Sequence, residues 1–342
     1  MDEPKVSVII PVFNGAPFID SCIDNLQKQE YENMEICFVI DHKTSDGTQE
    51  AVEKRMDSDS RIKFIIQNDD GRLGFARNLG FSETDGDYVW FLDVDDLPYL
   101  TYIREMIGIS EENSSDITFC NFYSSKTLEF PKMDNEYSVI TLDRDDALRY
   151  RASGKLPVTS WSMVFRRKLI GDNNLKFKSG LAEDLDFVYR ALNVCDRISY
   201  YNKPLYLYYF NPNSICHAES GNRRAREELN VYSALLDFFK ENNPGFYDYF
   251  KDKAILSSMR CMVHFDKPSF LEEYRSGWVR KTVIEMKKKK PFAEVFVFRH
   301  FPRLYYFIVG RGMLAVYKDT MFDNSVSDSS FKRWFNRKFK NI

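Results

Sequence analysis

Along the first 120 residues, short apolar runs alternate with amphipathic ones. Val6–Val12 (VSVIIPV) is a mostly β-branched run, as a strand buried on both faces requires. Asn14-Gly15 then signals a turn, and in PFIDSCIDNLQKQ the residues Phe18, Ile19, Cys22, Ile23 and Leu26 share one helical face. A second strand is predicted over Glu35–Ile40, followed by the polar loop DHKTSDG and a helix from Thr48 to about Met56. Ile62–Ile66 forms a third strand, GFARNLGFSE a short helix after a Gly-rich loop, DYVWFLD a fourth strand and DITFCNF (Asp116–Phe122) a fifth.

Strands alternating with helices imply crossover connections and a largely parallel sheet covered by helices on both faces. In such sheets ligands gather at the carboxyl ends of the strands. Phe13-Asn14, Asp41-His42 and Asp93 to Asp96 each follow an apolar strand, so three strands offer polar groups to one rim. After Asp143 the pattern mixes. TSWSMVFRR and ISYYNKPLYLYYF read as strands, and AEDLDFVYRAL as a helix start with Leu185, Val188, Tyr189 and Leu192 on its apolar face. Helices are predicted over roughly 222–242, 245–265 and 269–290. The chain is thus expected to divide into an α/β domain, 1–218, and a helical region with a basic, aromatic tail, 219–342.

Composition adds three constraints. A chain of 342 residues with 44% hydrophobic and 29% charged residues has the balance of a folded soluble protein. Its six cysteines show no C-x-x-C spacing, and five have apolar or aromatic neighbours, which points to buried reduced thiols and a cytoplasmic setting. The first strand begins within six residues of Met1, so no signal peptide is expected. Charge is unevenly spread: residues 287–342 hold 13 Lys/Arg against 4 Asp/Glu, while the chain as a whole has a net charge of −3. An acidic body with a short basic tail argues against nucleic acid and for an anionic surface.

The crowded run Asp93-Val94-Asp95-Asp96 has two readings. It is either a solvated loop in which Asp96 caps a helix, or a site for a hard divalent cation, Mn²⁺ or Mg²⁺, completed by substrate phosphates. No Walker-type G-x-x-x-x-G-K-[ST] is present, and the three glycines of GRLGFARNLG do not fit G-x-G-x-x-G. Glu183-Asp184, with Asp186 close behind, is on its own terms an acidic helix N-terminus.

The order of the blocks discriminates between these readings. VSVIIPVFNGAPFIDSCIDNLQKQEYENMEICFVID, then TSDGT, then GRLGFARNLGFSETDGDYVWFLDVDD, then GLAEDLDFVYRAL resemble the signature blocks of family 2 inverting glycosyltransferases. The resemblance is dense over residues 5–100 and recognisable to about 216. It implies a GT-A fold: a Rossmann-like, mostly parallel central sheet flanked by helices, with a D-x-D metal motif. It implies a nucleotide-sugar donor, UDP-linked by expectation, and a glycan or lipid-linked glycan acceptor. By resemblance Phe13 lies beside the base with Pro11 nearby, Asp41 belongs to an acidic pair whose second member is His42 here, and Arg77 sits close to the diphosphate. Asp93 touches the ribose, Asp95 binds the metal with Asp96 in support, and Asp184, with Glu183 beside it, is the general base. A neutral imidazole at position 42 can still accept a hydrogen bond from the base.

Two further residues carry open readings. His217 is a metal or phosphate ligand or a loop histidine, and Trp161 is an acceptor-pocket face or a core aromatic. The segment Phe301–Tyr317 is aromatic but interrupted by Arg303 and Arg311. It is too short to span a bilayer and suits an interfacial helix on the inner face of the cell membrane. The Q-x-x-R-W motif of the family's processive members is absent, which predicts single sugar transfer. A nucleotidyltransferase is disfavoured by PVFNGAPF after the first strand, and a non-catalytic carbohydrate-binding protein by the retained Asp93, Asp95 and Asp184.

Overall fold

A computed structural model describes residues 3–70, 72–132, 136–211, 221–285 and 293–309. Its first unit takes in residues up to Leu148 and Leu156–His217; its second takes in Arg149–Lys155 and the chain from Ala218.

The first unit is built on a nine-stranded mixed sheet among the described residues. It opens with β1 (Val6–Val12), α1 (Ala16–Gln27), β2 (Met34–Asp41), α2 (Thr48–Met56), β3 (Ile62–Gln67), α3 (Arg72–Ser82) and β4 (Tyr88–Phe91). β5 (Leu97–Pro98), α4 (Tyr102–Glu112), β6 (Ile117–Ser125), β7 (Val139–Asp143) and α5 (Arg144–Ala152) follow, then β8 (Met163–Arg166), α6 (Arg167–Asp172), α7 (Glu183–Val194) and β9 (Arg197–Tyr209). The spatial order is β3-β2-β1-β4-β8-β6-β9-β5, with β7 also on β9. β1 to β4 run parallel, as do β6 and β9, while β8, β5 and β7 run against their neighbours. This is the mostly parallel sheet expected, with antiparallel strands inserted in its second half.

All seven residues of β1 are buried, which is what its unbroken apolar run demands. Pro11 is tolerated in this central strand for a geometric reason. Ile9 turns its carbonyl toward β4, where Leu92 N donates to it at 2.9 Å, and Pro11, two residues on, faces the same side. β4 has turned away by then, so the missing Pro11 N–H leaves no ladder bond unmade. The turn after β1 is pinned to the turn after β2. Gly15 N donates to Thr48 Oγ1, Ala16 N to Asp46 Oδ2 and Ser45 N to Asn14 Oδ1.

The second unit is helical: α8 (Gly221–Asn242), α9 (Pro244–Cys261), α10 (Lys267–Ser276), α11 (Trp278–Glu285) and α12 (Ala293–His300), with a further helical stretch over 302–309. Asn243 caps α9 ahead of Pro244 by accepting from Phe246 N, and Asp266 caps α10 by accepting from Ser269 N. The single helix expected over 269–290 is divided, because Gly277 is extended (φ −70°, ψ 160°) between α10 and α11. Leu229, Ile255, Met259, Phe270, Val279 and Phe298 are among the residues of its core. No described helix is long and apolar enough to cross a membrane. No disulfide forms among the described residues; Cys22, Cys37, Cys120 and Cys195 are buried thiols, and Cys216 lies outside the described residues.

Candidate active site

The rim formed by the carboxyl ends of β1, β2 and β4 gathers the polar residues that the sequence places there. Phe13 ends β1 with its ring 53% exposed, ready to meet a flat ligand. At the end of β2, Asp41 is half-buried and accepts from Lys43 N, while His42 is exposed. The Nδ1 atom of His42 lies 3.1 Å from the Gln67 carbonyl oxygen. A carbonyl only accepts, so Nδ1 is the donor in this contact.

The loop after β4 holds three carboxylates in different surroundings. Asp96 is buried, with Oδ2 accepting from Tyr206 Oη at 2.7 Å and Oδ1 from Tyr209 N at 2.8 Å. Its carboxyl is pushed well above the usual carboxylate range by burial, then by the charges of Asp93 and Asp95. Asp96 therefore ties the loop to β9. Asp95 is half-buried and accepts from Asn211 Nδ2 at 2.9 Å; burial raises its pKa too. Asp93 is raised to about 6 by burial, an effect that Arg77 opposes and that Asp95 and Asp184 reinforce.

Arg77 is enclosed among carboxylates. Its side chain is 1% exposed. The guanidinium donates from Nη1 to Glu183 Oε1 at 3.0 Å and to Asp184 Oδ1 at 2.8 Å, and from Nη2 to Asp93 Oδ1 at 3.1 Å. Burial works against its charge, but the three carboxylates outweigh that and hold its pKa above the ordinary value. Its Nη donors are thus directed at carboxylates in this structure. The position follows from local packing. Gly74 on α3 lets the helix approach residue 178 so closely that a Cβ would lie 2.4 Å from the Lys178 carbonyl oxygen. Asn78 and Phe177 exchange two hydrogen bonds, 2.8 and 2.9 Å, and the Phe177 ring lies 5.2 Å from the guanidinium carbon.

Across from Arg77, the first turn of α7 carries Glu183, Asp184 and Asp186, where acids meet the positive end of the helix dipole. Asp186 is taken up by Lys178 and Arg190, at 2.9 and 2.7 Å. Glu183 is buried, and its carboxyl is raised to about 7 by burial and by Asp184, against the pull of Arg77. Asp184 remains partly exposed, with 20% of its side chain accessible. It accepts from Ser160 Oγ at 2.8 Å and Ser160 N at 3.2 Å as well as from Arg77. Ser160 is hidden from the sequence because TSWSMVFRR has the pattern of one strand. Residues Ser160–Ser162 instead form a 3₁₀ turn, with Thr159 and Ser162 hydroxyls 2.8 Å apart, and the strand begins at Met163.

Trp161 is a core residue, 6% exposed and stacked on Tyr206 (4.4 Å) and Tyr208 (5.7 Å), so the acceptor-pocket reading gives way to burial. Pro11 is likewise buried within β1. His217 lies outside the described residues. Among the described residues no group of three His, Cys, Asp or Glu side chains is placed to hold a metal by itself. The site nevertheless suits a hard cation. Asp93 and Asp95 sit half-buried on the same loop as Asp96, and three carboxylates, Asp93, Glu183 and Asp184, share one guanidinium. That excess negative charge fits a cation whose remaining ligands come from a diphosphate.

Residues 7–172 match Glycosyl transferase family 2. The uncharacterised glycosyltransferase EpsJ of Bacillus subtilis (strain 168) is 31% identical over 218 residues, covering 62% of this chain and 63% of EpsJ, so this chain spans less than two thirds of that relative. Among solved structures, S. aureus TarS 1-349 in complex with UDP-GlcNAc superposes with a TM-score of 0.65 at 18% identity over 92% of both chains. The mannosyltransferase PcManGT from Pyrobaculum calidifontis, in complex with GDP-Man and Mn²⁺, gives 0.56 at 15% identity over 91% of this chain and 87% of its own. At those identities the two structures speak for the fold, and the sequence matches speak for the family. The family match over residues 7–172 and the glycosyltransferase relatives support a family 2 glycosyltransferase, and the solved structures show its GT-A fold.

Proposed function

We propose that the protein is an inverting glycosyltransferase that moves one sugar from a UDP-sugar to a hydroxyl of a glycan or lipid-linked glycan, with Mn²⁺ or Mg²⁺ as cofactor. The observation that carries this reading is the Arg77 bridge: one buried guanidinium joins Asp184 on α7 to Asp93 on the β4 loop. In this reading Phe13 stacks against the base and His42 Nε2 accepts from its imide N–H, with Asp41 beside it. Asp93 would meet the ribose and Asp95 would hold the cation, which when bound would supply positive charge to the diphosphate.

The chain's own residues then do the following. Asp184, partly exposed and fixed by Arg77 and Ser160, takes the proton of the acceptor hydroxyl as its oxygen attacks the anomeric carbon. The bond from that carbon to the diphosphate oxygen breaks on the opposite face, its electron pair leaves with the diphosphate, and configuration inverts. Glu183 is buried and does not meet the acceptor; it completes the carboxylate set around Arg77. A peripheral position on the inner face of the cell membrane belongs to the same reading, because a lipid-linked acceptor would be presented there.

The test is nucleotide release from UDP-, GDP- and TDP-sugars with Mn²⁺ or with EDTA. Slow hydrolysis of one UDP-sugar, abolished by EDTA and by Asp95→Ala, supports the reading. Absence of donor binding by calorimetry across the panel, with metal present, would overturn it.

A further inference from the structure

The stretch EVFVFRHFPRLYYFIV, residues 294–309, has more apolar residues than its own packing uses. α12 turns Val295 and Phe298 into the core of the second unit, and the helical stretch over 302–309 turns Tyr305 and Val309 inward. Phe296 is left 49% exposed, Phe301 52%, Leu304 47% and Phe307 52%. These are four of the ten large apolar side chains exposed among the described residues, and they fall within twelve consecutive positions. Two of them meet in space: the Phe296 ring lies 6.3 Å from Phe301, and 4.7 Å from His300. Beside them runs a groove of about 460 Å³, with Leu271 and Tyr274 on one side and Phe301 and Leu304 on the other. Scattered exposed apolar residues need no explanation, but a contiguous patch marks a surface meant to be covered.

Charge identifies the cover. Arg275 and Arg303 line the groove, and Arg299 is exposed at the end of α12. Among the described residues no carboxylate lies within ion-pair distance of Arg275, Arg299 or Arg303, whereas Arg223, Arg224 and Arg226 of the same unit all have glutamate partners. Four lysines, Lys287–Lys290, precede the patch in the sequence, and seven more Lys/Arg follow it from Arg311 onward. Aromatic and aliphatic side chains beside arginines with no carboxylate partner among the described residues match the acyl–headgroup boundary of an anionic bilayer. A protein partner would be expected to leave fewer charges at the centre of its contact.

We infer that the face formed by Phe296, Phe301 and Leu304, with Arg275, Arg299 and Arg303 around it, docks the second unit onto an anionic lipid surface. This deepens the membrane-side part of the proposed function and rests on that reading only for the choice of acceptor.

The experiment is co-sedimentation of the full chain with phosphatidylglycerol/phosphatidylcholine vesicles and with phosphatidylcholine vesicles, at low and high salt. The wild type is expected to bind the anionic vesicles at least ~10-fold more tightly, with binding weakened by salt. The variant Phe301→Asp with Leu304→Asp should lose at least ~10-fold in vesicle affinity, and each of Arg275→Gln, Arg299→Gln and Arg303→Gln about 5-fold. Donor hydrolysis in vesicle-free solution, unchanged in these variants, shows that they are folded and reads the transferase assignment independently. Unchanged vesicle binding by the patch variants would assign the contact to the flanking basic chain and overturn the inference. Equal binding to neutral vesicles would also overturn it, as would a dimer that dissociates on Phe301→Asp while vesicles are ignored.

Discussion

Arg77 Nη1 lies 2.8 Å from Asp184 Oδ1 while Nη2 lies 3.1 Å from Asp93 Oδ1, so a single buried cation spans the two carboxylates assigned to acceptor and donor. A planar fork can satisfy that geometry, whereas a lysine ammonium keeps the charge without the two-sided reach. Arg77→Lys is therefore expected to leave the fold intact and to lower kcat by roughly 100-fold, because the base is no longer held in line. Arg77→Met strands three partly or fully buried carboxylates without a cation. It should cost about 3–5 kcal/mol, read as a shifted midpoint in urea unfolding.

Asp184 tests the assignment of the base. Asp184→Asn preserves shape and the bond from Ser160 Oγ but cannot take a proton. Transfer should fall by roughly 10²- to 10⁴-fold while calorimetry finds donor affinity unchanged within about threefold. Ser160→Ala should sit between this variant and the wild type, since it removes an orienting bond and leaves the carboxylate.

Much of this fold was legible because its signals are local. β1 and α2 begin and end where the apolar pattern and the turn residues say, at Val6–Val12 and Thr48–Met56. β5 and β7 escaped: Leu97–Pro98 is too short to show a period, and Val139–Asp143 is an exposed edge strand with no buried face to pattern it. At the site, the residue types were readable and their contacts were not. Arg77 meets partners more than 100 positions away, and nothing in ARN says whether its fork faces phosphate or carboxylate. Trp161 illustrates the same limit, because an aromatic beside a polar turn looks alike whether its ring lines a pocket or stacks on Tyr206.

Asn211 holds Asp95 at 2.9 Å, and this bond fixes the direction in which the carboxylate presents its other oxygen. Asn211→Ala is expected to weaken Mn²⁺-dependent donor binding by about 10-fold and leave metal-free binding untouched. Calorimetry with UDP, with and without Mn²⁺, separates the two. Equal losses under both conditions would place Asn211 on the nucleotide rather than on the metal-binding carboxylate.

Glu183 makes a prediction about pH. Its carboxyl is raised from 4.5 to about 7 in the folded chain, chiefly by burial and then by Asp184. Between those values the folded state binds a proton that the unfolded state has released, so this group favours folding fully below about 4.5. That contribution, up to about 3 kcal/mol, is lost as pH rises through 7. Glu183→Gln carries the neutral form at every pH and keeps an acceptor for Arg77. Its thermal midpoint should match the wild type near pH 5 and exceed it near pH 8. A variant that loses stability at pH 8 would mean instead that the Glu183 charge is needed to balance Arg77, leaving Asp93 and Asp184 insufficient for the guanidinium they share.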